Sequence, residues 1–383
     1  MRKICVVIGS RANYSSIKSA MRAIQAHPRL ELQVIVGASA LLDRYGSVVD
    51  LIERDGFSPS SRLYMLVEGE TPLTMAKSTG LGLMELPTVL ERLKPGIVLT
   101  VGDRFETMAT ALAAVYMNIP LAHTMGGEVS GTIDESIRHA VTKFAHIHFP
   151  ACADARERII KMGERPEDVH MVGCPRLDLV AEVLAEIDGD PGREIFSEGV
   201  GGVFDLDQPF IILSQHPVTT EYGSGEQQIH ETLMAIHDIK IATIALWPNA
   251  DAGADDIARG MRKFREHRGD SRIHFFKNLP VELYTRLMRG CSCIVGNSSS
   301  AIREGAFIGT PAVNIGSRQN RRQRGKNVMD VDYDRGQIAE AIRRQLANGR
   351  YESEPIYGDG RAGERIAEIL AQCDVGVQKT ITY

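Results

Sequence analysis

The sequence predicts an α/β protein built from two doubly wound, Rossmann-like domains. Three observations carry this. Short apolar runs alternate with segments whose apolar residues recur at three and four, the helical period. The alternation stops once, in a Gly- and Asp-rich stretch from about Asp188 to Gln208, and then restarts. The chain has 383 residues, too many for one core and comfortable for two.

Candidate strands in the first half are Lys3–Ile8, Glu31–Val36, Ile97–Val101, Leu121–His123 and His146–Phe149, with a further run at His170–Val172. Ser15–Ala26, Gly80–Leu93 and Glu106–Met117 read as helices between them. Such βαβ alternation argues a parallel sheet covered on both faces. The second half offers Phe210–Leu213, Ile241–Leu246, Ile273–Phe276, Cys293–Val295 and Ala312–Asn314 as strands. The expected domains are 1–187 and 205–355, with a last helical segment at Arg361–Gln372 within 356–383. Ligands of such folds bind at the carboxyl ends of the strands, so a cleft faced by both domains is expected there.

Composition narrows the function. Apolar residues make up 43% and charged residues 24%, and the net charge is -5, so no basic excess points to nucleic acid or an anionic membrane. No apolar run reaches the roughly 18 residues of a membrane span. The opening MRKICVVIGSRANYSS has an apolar run of about five residues, short of a signal-peptide core of about 7–15. The six cysteines show no metal-type spacing, and reduced thiols in the cytoplasm are the expectation.

Six loops past strand ends could carry chemistry. Gly9–Tyr14 (GSRANY) lets the backbone approach an anion at a helix start, with Arg11 beside it, or is a plain turn; its spacing is not that of a dinucleotide site. In VGDRFETM, Asp103 is either a helix N-cap or a catalytic carboxylate. In HTMGGEVSGTIDESIRHAVTK, Glu128 and Asp134 join Asp103 from neighbouring strand ends, while Arg138 and His139 can simply decorate a helix. Converging carboxylates repel and one pKa rises, which suits acid/base work. His216, in SQHPVTTE, can meet a phosphate or leaving group, or be a structural histidine. Asn249, in WPNADAG, can order a ligand loop or mark only a turn.

The sixth loop, VGNSSSAIREGAFIGTPAVNIGSRQ, is the most informative. Ser298 and Ser299 open a helix, where exposed N–H groups and hydroxyls make a phosphate site. Glu304, about one and a half turns in, can accept two ribose hydroxyls, and Arg318 adds a cation for a diphosphate. The bland alternative is a capped helix with a solvent-facing glutamate. The basic run Arg318–Lys326 lacks interleaved aromatics, so nucleic acid is a poor reading.

Taken together, GDRFETMATA, GGEVSGTIDESIRHAVTK, QHPVTTE, WPNADAG and GNSSSAIREGAF…GTPAVNIGSRQ resemble the UDP-N-acetylglucosamine 2-epimerase family. They are most similar to its hydrolysing branch, which makes N-acetylmannosamine for sialic acid. The resemblance implies the two-domain GT-B fold, with the last helix crossing back to the first domain. It implies that His216, Ser298, Ser299, Glu304 and Arg318 hold UDP, that Arg11 and Asn249 shape the site, and that Asp103 and Asp134 take part in the chemistry. It also implies a nucleotide-sugar substrate, no cofactor and no metal, and a homodimer or homotetramer. One departure stands out. Many relatives carry a glutamate two residues after the histidine of HTMGGE, where this chain has Met125, so the proton-transfer role either is absent or moves to Glu128. This departure also fits a different sugar, the 2,4-diacetamido-trideoxy sugar of legionaminic acid synthesis.

The implied chemistry accounts for the residue types. The proton on carbon 2 is not acidic until the bond to UDP loosens. Cations and a helix N-terminus stabilise the leaving diphosphate. A carboxylate then removes the proton, leaving a glycal, and water adds across the double bond with inversion at carbon 2. A non-hydrolysing epimerase returns UDP to the glycal instead. A glycosyltransferase on the same fold and a non-catalytic nucleotide-sugar binder are the rivals from other classes.

Overall fold

The computed structural model describes the chain apart from residues 70, 187–192 and 249–250. Two compact units result. Unit one comprises Met1–Val129, Ile133–Leu179 and Tyr357–Tyr383; unit two comprises Ser130–Thr132 and Val180–Ile356.

Unit one is built on β1 (Arg2–Ile8), β2 (Leu30–Gly37), β3 (Pro59–Leu63), β4 (Ile97–Val101), β5 (Leu121–Thr124) and β6 (Ile147–Phe149). They form one parallel sheet in the order β3-β2-β1-β4-β5-β6, doubly wound about β1 and β4. β1, β4 and β5 sit inside the sheet, so nearly all their residues are buried and their sequence is mostly apolar. Leu86 and Leu90 pack with Val98, Ala109 and Leu121 in the core of this unit. Burial of each leucine is worth about 1.5–3 kcal/mol.

Two differences from the sequence expectation have simple causes. β3, with the sequence PSSRL, is a polar edge strand that begins with proline, and no apolar alternation announces it. His170–Val172 forms no strand; only an isolated bridge from Val169 to His148 is made there. The helix expected at Gly80–Leu93 starts earlier, at Pro72, where Thr71 and Thr74 form a capping box ahead of the apolar stripe.

The segment Tyr357–Tyr383 contains the helix Ala362–Gln372, which packs on the Lys18–Ala26 helix. Its docking is polar at both ends. Asp178, buried, accepts from the backbone N–H groups of Ala362 (2.9 Å) and Gly363 (2.7 Å) and from Ser19 Oγ (2.8 Å). Arg2 Nη1 donates to the carbonyls of Leu370 and Cys373, both at 2.7 Å.

Unit two contains β7 (Val200–Gly201), β8 (Phe210–Ser214), β9 (Ala242–Leu246), β10 (Ile273–Phe276), β11 (Cys293–Gly296), β12 (Ala312–Ile315) and β13 (Val328–Val331). The sheet order is β13-β12-β11-β8-β9-β10-β7, parallel except for β7, which pairs antiparallel with β10. β7 lies within the stretch expected as linker, part of which falls outside the described residues. Leu213, Ile229, Leu233, Ile257 and Val295 fill one face of this sheet, and Ile212, Ile244, Leu287 and Ile294 fill the other. Among the described residues, no helix is long and apolar enough to cross a membrane.

Candidate active site

Asp103 sits in the turn from β4 into the helix Phe105–Tyr116. The cap position of that helix belongs to Arg104, and the Asp103 carboxylate is taken up by Arg138. Arg138 Nε donates to Asp103 Oδ2 at 2.9 Å, its Nη2 closes on the same oxygen, and its Nη1 donates to the Glu128 carbonyl at 2.7 Å. Arg138 is one of the largest fully buried side chains. Burial opposes its charge, but Asp103, Glu128 and Asp134 surround it and raise its pKa. The structure therefore gathers Asp103, Glu128 and Asp134 about one buried guanidinium. The sequence reading found the carboxylates and took the arginine for helix decoration. Its signal was available: Arg138 lies four residues after Asp134, one helical turn along the same face.

The double glycine of HTMGGE has a packing reason. Met125 leaves β5 with φ 62° and its side chain is buried, so the chain turns sharply there. Gly127 follows with φ 75°, and a Cβ on it would lie 2.3 Å from the Ala155 carbonyl oxygen. Glu128 then returns to the interior, with only 2% of its surface exposed. A buried methionine two residues past His123 cannot exchange a proton, whereas Glu128 has a carboxyl at the Arg138 cluster.

His123, at the end of β5, is wholly buried. Its Nε2–H donates to the Gly102 carbonyl at 2.7 Å, and its Nδ1 faces Thr142 Oγ1 at 3.3 Å. Burial pulls its pKa down to about 4, so the ring is neutral at pH 7. It fixes the peptide immediately before Asp103.

Glu106 is a second residue that sequence reasoning passed over. It is buried in the first turn of its helix and accepts from Arg104 Nε at 3.0 Å. A Cβ on Gly9 would lie 2.2 Å from Glu106 Cγ, so Gly9 is glycine because this carboxylate lies against its backbone. Ser10 caps the short helix Arg11–Ser15, and Asn13 ties the loop together by accepting from Gly9 N–H at 3.1 Å. Arg11 is the first residue of that helix and is partly exposed.

In unit two, His216 follows β8 and is held by Asn297, which the sequence reading did not single out. The His216 N–H donates to Asn297 Oδ1 at 2.7 Å, and Asn297 Nδ2 donates back to the His216 carbonyl at 2.9 Å. The Asn297 carbonyl in turn accepts from Arg318 Nη1 (3.3 Å) and Gln319 Nε2 (2.9 Å). One asparagine thus joins His216 and Arg318. Ser298 caps the helix Ser299–Ile308 by accepting from the Ser300 N–H. Its hydroxyl lies 2.9 Å from Ser300 Oγ, which lies 2.8 Å from the Tyr284 hydroxyl. Ser299 is the first helical residue. Glu304 is buried at 3% exposure, not the solvent-facing residue of the bland alternative. Glu221 accepts from Gln228 Nε2 at 2.6 Å and from Ser317 Oγ, which anchors the loop that carries Arg318. Asn249 lies outside the described residues.

A helix N-terminus lined by hydroxyls, a buried carboxylate about one and a half turns in and an arginine on the adjoining loop form an arrangement suited to a nucleoside diphosphate. The carboxylates of unit one are suited to moving protons. The profile of the family described as UDP-N-acetylglucosamine 2-epimerase matches residues 22–371. The chain belongs to the UDP-N-acetylglucosamine 2-epimerase family. It is 34% identical over 370 residues to the UDP-N,N'-diacetylbacillosamine 2-epimerase (hydrolyzing) of Legionella pneumophila, covering 97% of this chain and 96% of that one. It is 30% identical over 373 residues to the UDP-N-acetylglucosamine 2-epimerase of Neisseria meningitidis serogroup B, covering 97% and 95%. Its fold matches that of the Methanocaldococcus jannaschii UDP-GlcNAc 2-epimerase crystallised with UDP-GlcNAc and UDP, with a TM-score of 0.81 at 19% identity, over 96% of this chain and 99% of that one. The family and the two doubly wound units agree with the sequence reading.

Proposed function

We propose that this family member is a hydrolysing 2-epimerase that releases UDP and a free 2-acetamido sugar inverted at carbon 2. The observation that carries the reading is the set Asp103, Glu128 and Asp134 about buried Arg138. Asp103 and Asp134 are the acid/base pair, and Glu128 supports one of them. Ser298, Ser299, Glu304, Arg318 and His216 hold UDP, with Arg11 and Asn249 shaping the site.

In the first step the carbon 1–oxygen bond to UDP breaks and the pair of electrons leaves with the diphosphate. Cationic Arg318, the helix N-terminus and a proton donor such as His216 stabilise that charge. The carbocation character at carbon 1 acidifies the carbon 2 proton, a carboxylate takes it, and a carbon 1–carbon 2 double bond forms. In the second step the double bond opens: a second carboxyl delivers its proton to the opposite face of carbon 2, water adds its hydroxyl to carbon 1, and the remaining water proton returns to that carboxylate.

The favoured sugar is the UDP-linked 2,4-diacetamido-trideoxy sugar, supported by the 34% relative, although the motif resemblance puts UDP-N-acetylglucosamine first. UDP-N-acetylglucosamine is the second reading, supported by the 30% relative, and would place the product in sialic acid-type synthesis. Parallel assays of UDP release from the two sugars separate them. Faster turnover of the diacetamido sugar by kcat/KM supports the first reading, the reverse order supports the second, and no release from either rejects both.

A cytoplasmic setting is consistent with six cysteines, none in a disulfide. A homodimer or homotetramer is supported by exposed Leu73 and Met84 on one helix and Tyr116 at the end of its neighbour. Light scattering of the purified protein tests it, and a monomer mass at micromolar concentration contradicts it.

A further inference from the structure

We propose that the C-terminal segment Val377–Tyr383 is a positioning element for the reaction, and that Lys379 is the residue through which it acts. The inference rests on the functional reading above. Lys379 grips the C-terminal end of the Ile133–Phe144 helix, the helix that carries Asp134 and Arg138.

The last carbonyls of a helix have no intrahelical partners, and a cation is favoured there. Lys379 Nζ donates to the Lys143 carbonyl at 2.9 Å, lies 3.5 Å from that of Thr142 and also meets that of Ala145. Its counter-charge is Glu164, at 2.7 Å. Glu164 is itself buried and takes further bonds from Lys143 (2.5 Å) and His148 Nε2 (3.1 Å). The rest of the tail is fastened nearby. His146 Nε2 donates to the Val377 carbonyl at 3.0 Å, and the Tyr383 ring lies against Gly163, where an added Cβ would come within 2.6 Å of Tyr383 Cε1.

From this grip, two short routes lead to Asp103. Arg138, one turn before Thr142 on the same helix, binds the Asp103 carboxylate directly. Thr142, whose carbonyl faces Lys379, presents its hydroxyl to His123 Nδ1, and His123 Nε2–H holds the Gly102 carbonyl. His148, the Glu164 partner, is the cross-strand neighbour of His123. The helix end, Thr142, His123 and the Gly102–Asp103 turn therefore form one contiguous set of contacts. If that end frays, both holds on Asp103 loosen, while the nucleotide-binding residues of unit two are left as they are.

The test uses full-length wild type, Lys379→Met and Lys379→Arg, with steady-state UDP release and hydrogen exchange over residues 133–145. In Lys379→Met, kcat falls about tenfold with KM within about twofold, and the amides of 142–145 exchange faster. Lys379→Arg, which restores a cation, keeps kcat within about threefold. An unchanged kcat in Lys379→Met, or a loss that only tracks its unfolded fraction by circular dichroism, overturns the proposal. Unchanged exchange at 142–145 overturns it whatever the activity. Wild type that releases no UDP from either sugar rejects the functional reading instead, so the two failures are distinguishable.

Discussion

The Arg138 guanidinium is buried against the Asp103 carboxylate, Nε to Oδ2 at 2.9 Å, and the same side chain holds the Glu128 carbonyl. Removal of one partner leaves the other charge poorly compensated, a cost on the order of 3–5 kcal/mol for fully buried pairs. Asp103 is one quarter exposed, so a smaller cost applies. Arg138→Met is expected to lose about 2–4 kcal/mol in urea unfolding and about a hundredfold in kcat. Arg138→Lys keeps the charge but not the fork, and falls between. Wild-type kcat in Arg138→Met contradicts the role given to this pair.

His123 makes folding pH-dependent. Its pKa is about 4 in the folded protein against 6.5 for the free side chain. Between those values the unfolded chain binds more protons on this ring than the folded chain does. Stability is therefore full above about pH 6.5 and is lost as pH falls toward 4, by about 2 kcal/mol at pH 5. Urea midpoints for wild type and His123→Asn at pH 7.5 and 5 isolate this contribution. An equal loss in both proteins counts against it.

Gly9 has no room for a side chain beside Glu106. Gly9→Ala places a methyl carbon 2.2 Å from Glu106 Cγ and forces the carboxylate to move. Overpacking of this kind costs about 1–3 kcal/mol, and the displaced loop carries Ser10 and Arg11. A lowered melting temperature together with a raised KM is the expected pair of effects. Unaltered values of both would show that the loop yields freely.

Ser298 caps a helix and lines the hydroxyl cluster with Ser300 and Tyr284. Loss of the cap alone costs about 1 kcal/mol of stability. Ser298→Ala is expected to weaken UDP binding about tenfold in titration calorimetry, because the same hydroxyl is assigned to phosphate. Wild-type UDP affinity with the stability loss intact would reduce Ser298 to a cap.

Most of the fold was legible because buried parallel strands are predominantly apolar and their helices are amphipathic. β3 and β13 escaped because edge strands need no such pattern; PSSRL has one fully buried residue and VMDV has none. The site was legible wherever a residue type is unusual for its place, as with Asp103 past a strand end or serines opening a helix. Arg138 escaped for the opposite reason, since an arginine on an amphipathic helix is ordinary until the turn it faces is known. Asn297 and Glu106 escaped in the same way. Their partners lie 81 residues away at His216 and past the end of the neighbouring strand at Gly9, and only folding brings them together.

The central claim is that a carboxylate of the Arg138 cluster removes the proton from carbon 2 and that water ends the reaction. Proton NMR of the UDP-sugar with enzyme in heavy water tests it most directly. The account predicts free UDP and a 2-epimeric free sugar carrying deuterium at carbon 2, with the signal abolished in Asp103→Asn. Release of a sugar that retains its carbon 2 proton, or undiminished exchange in Asp103→Asn, would contradict it.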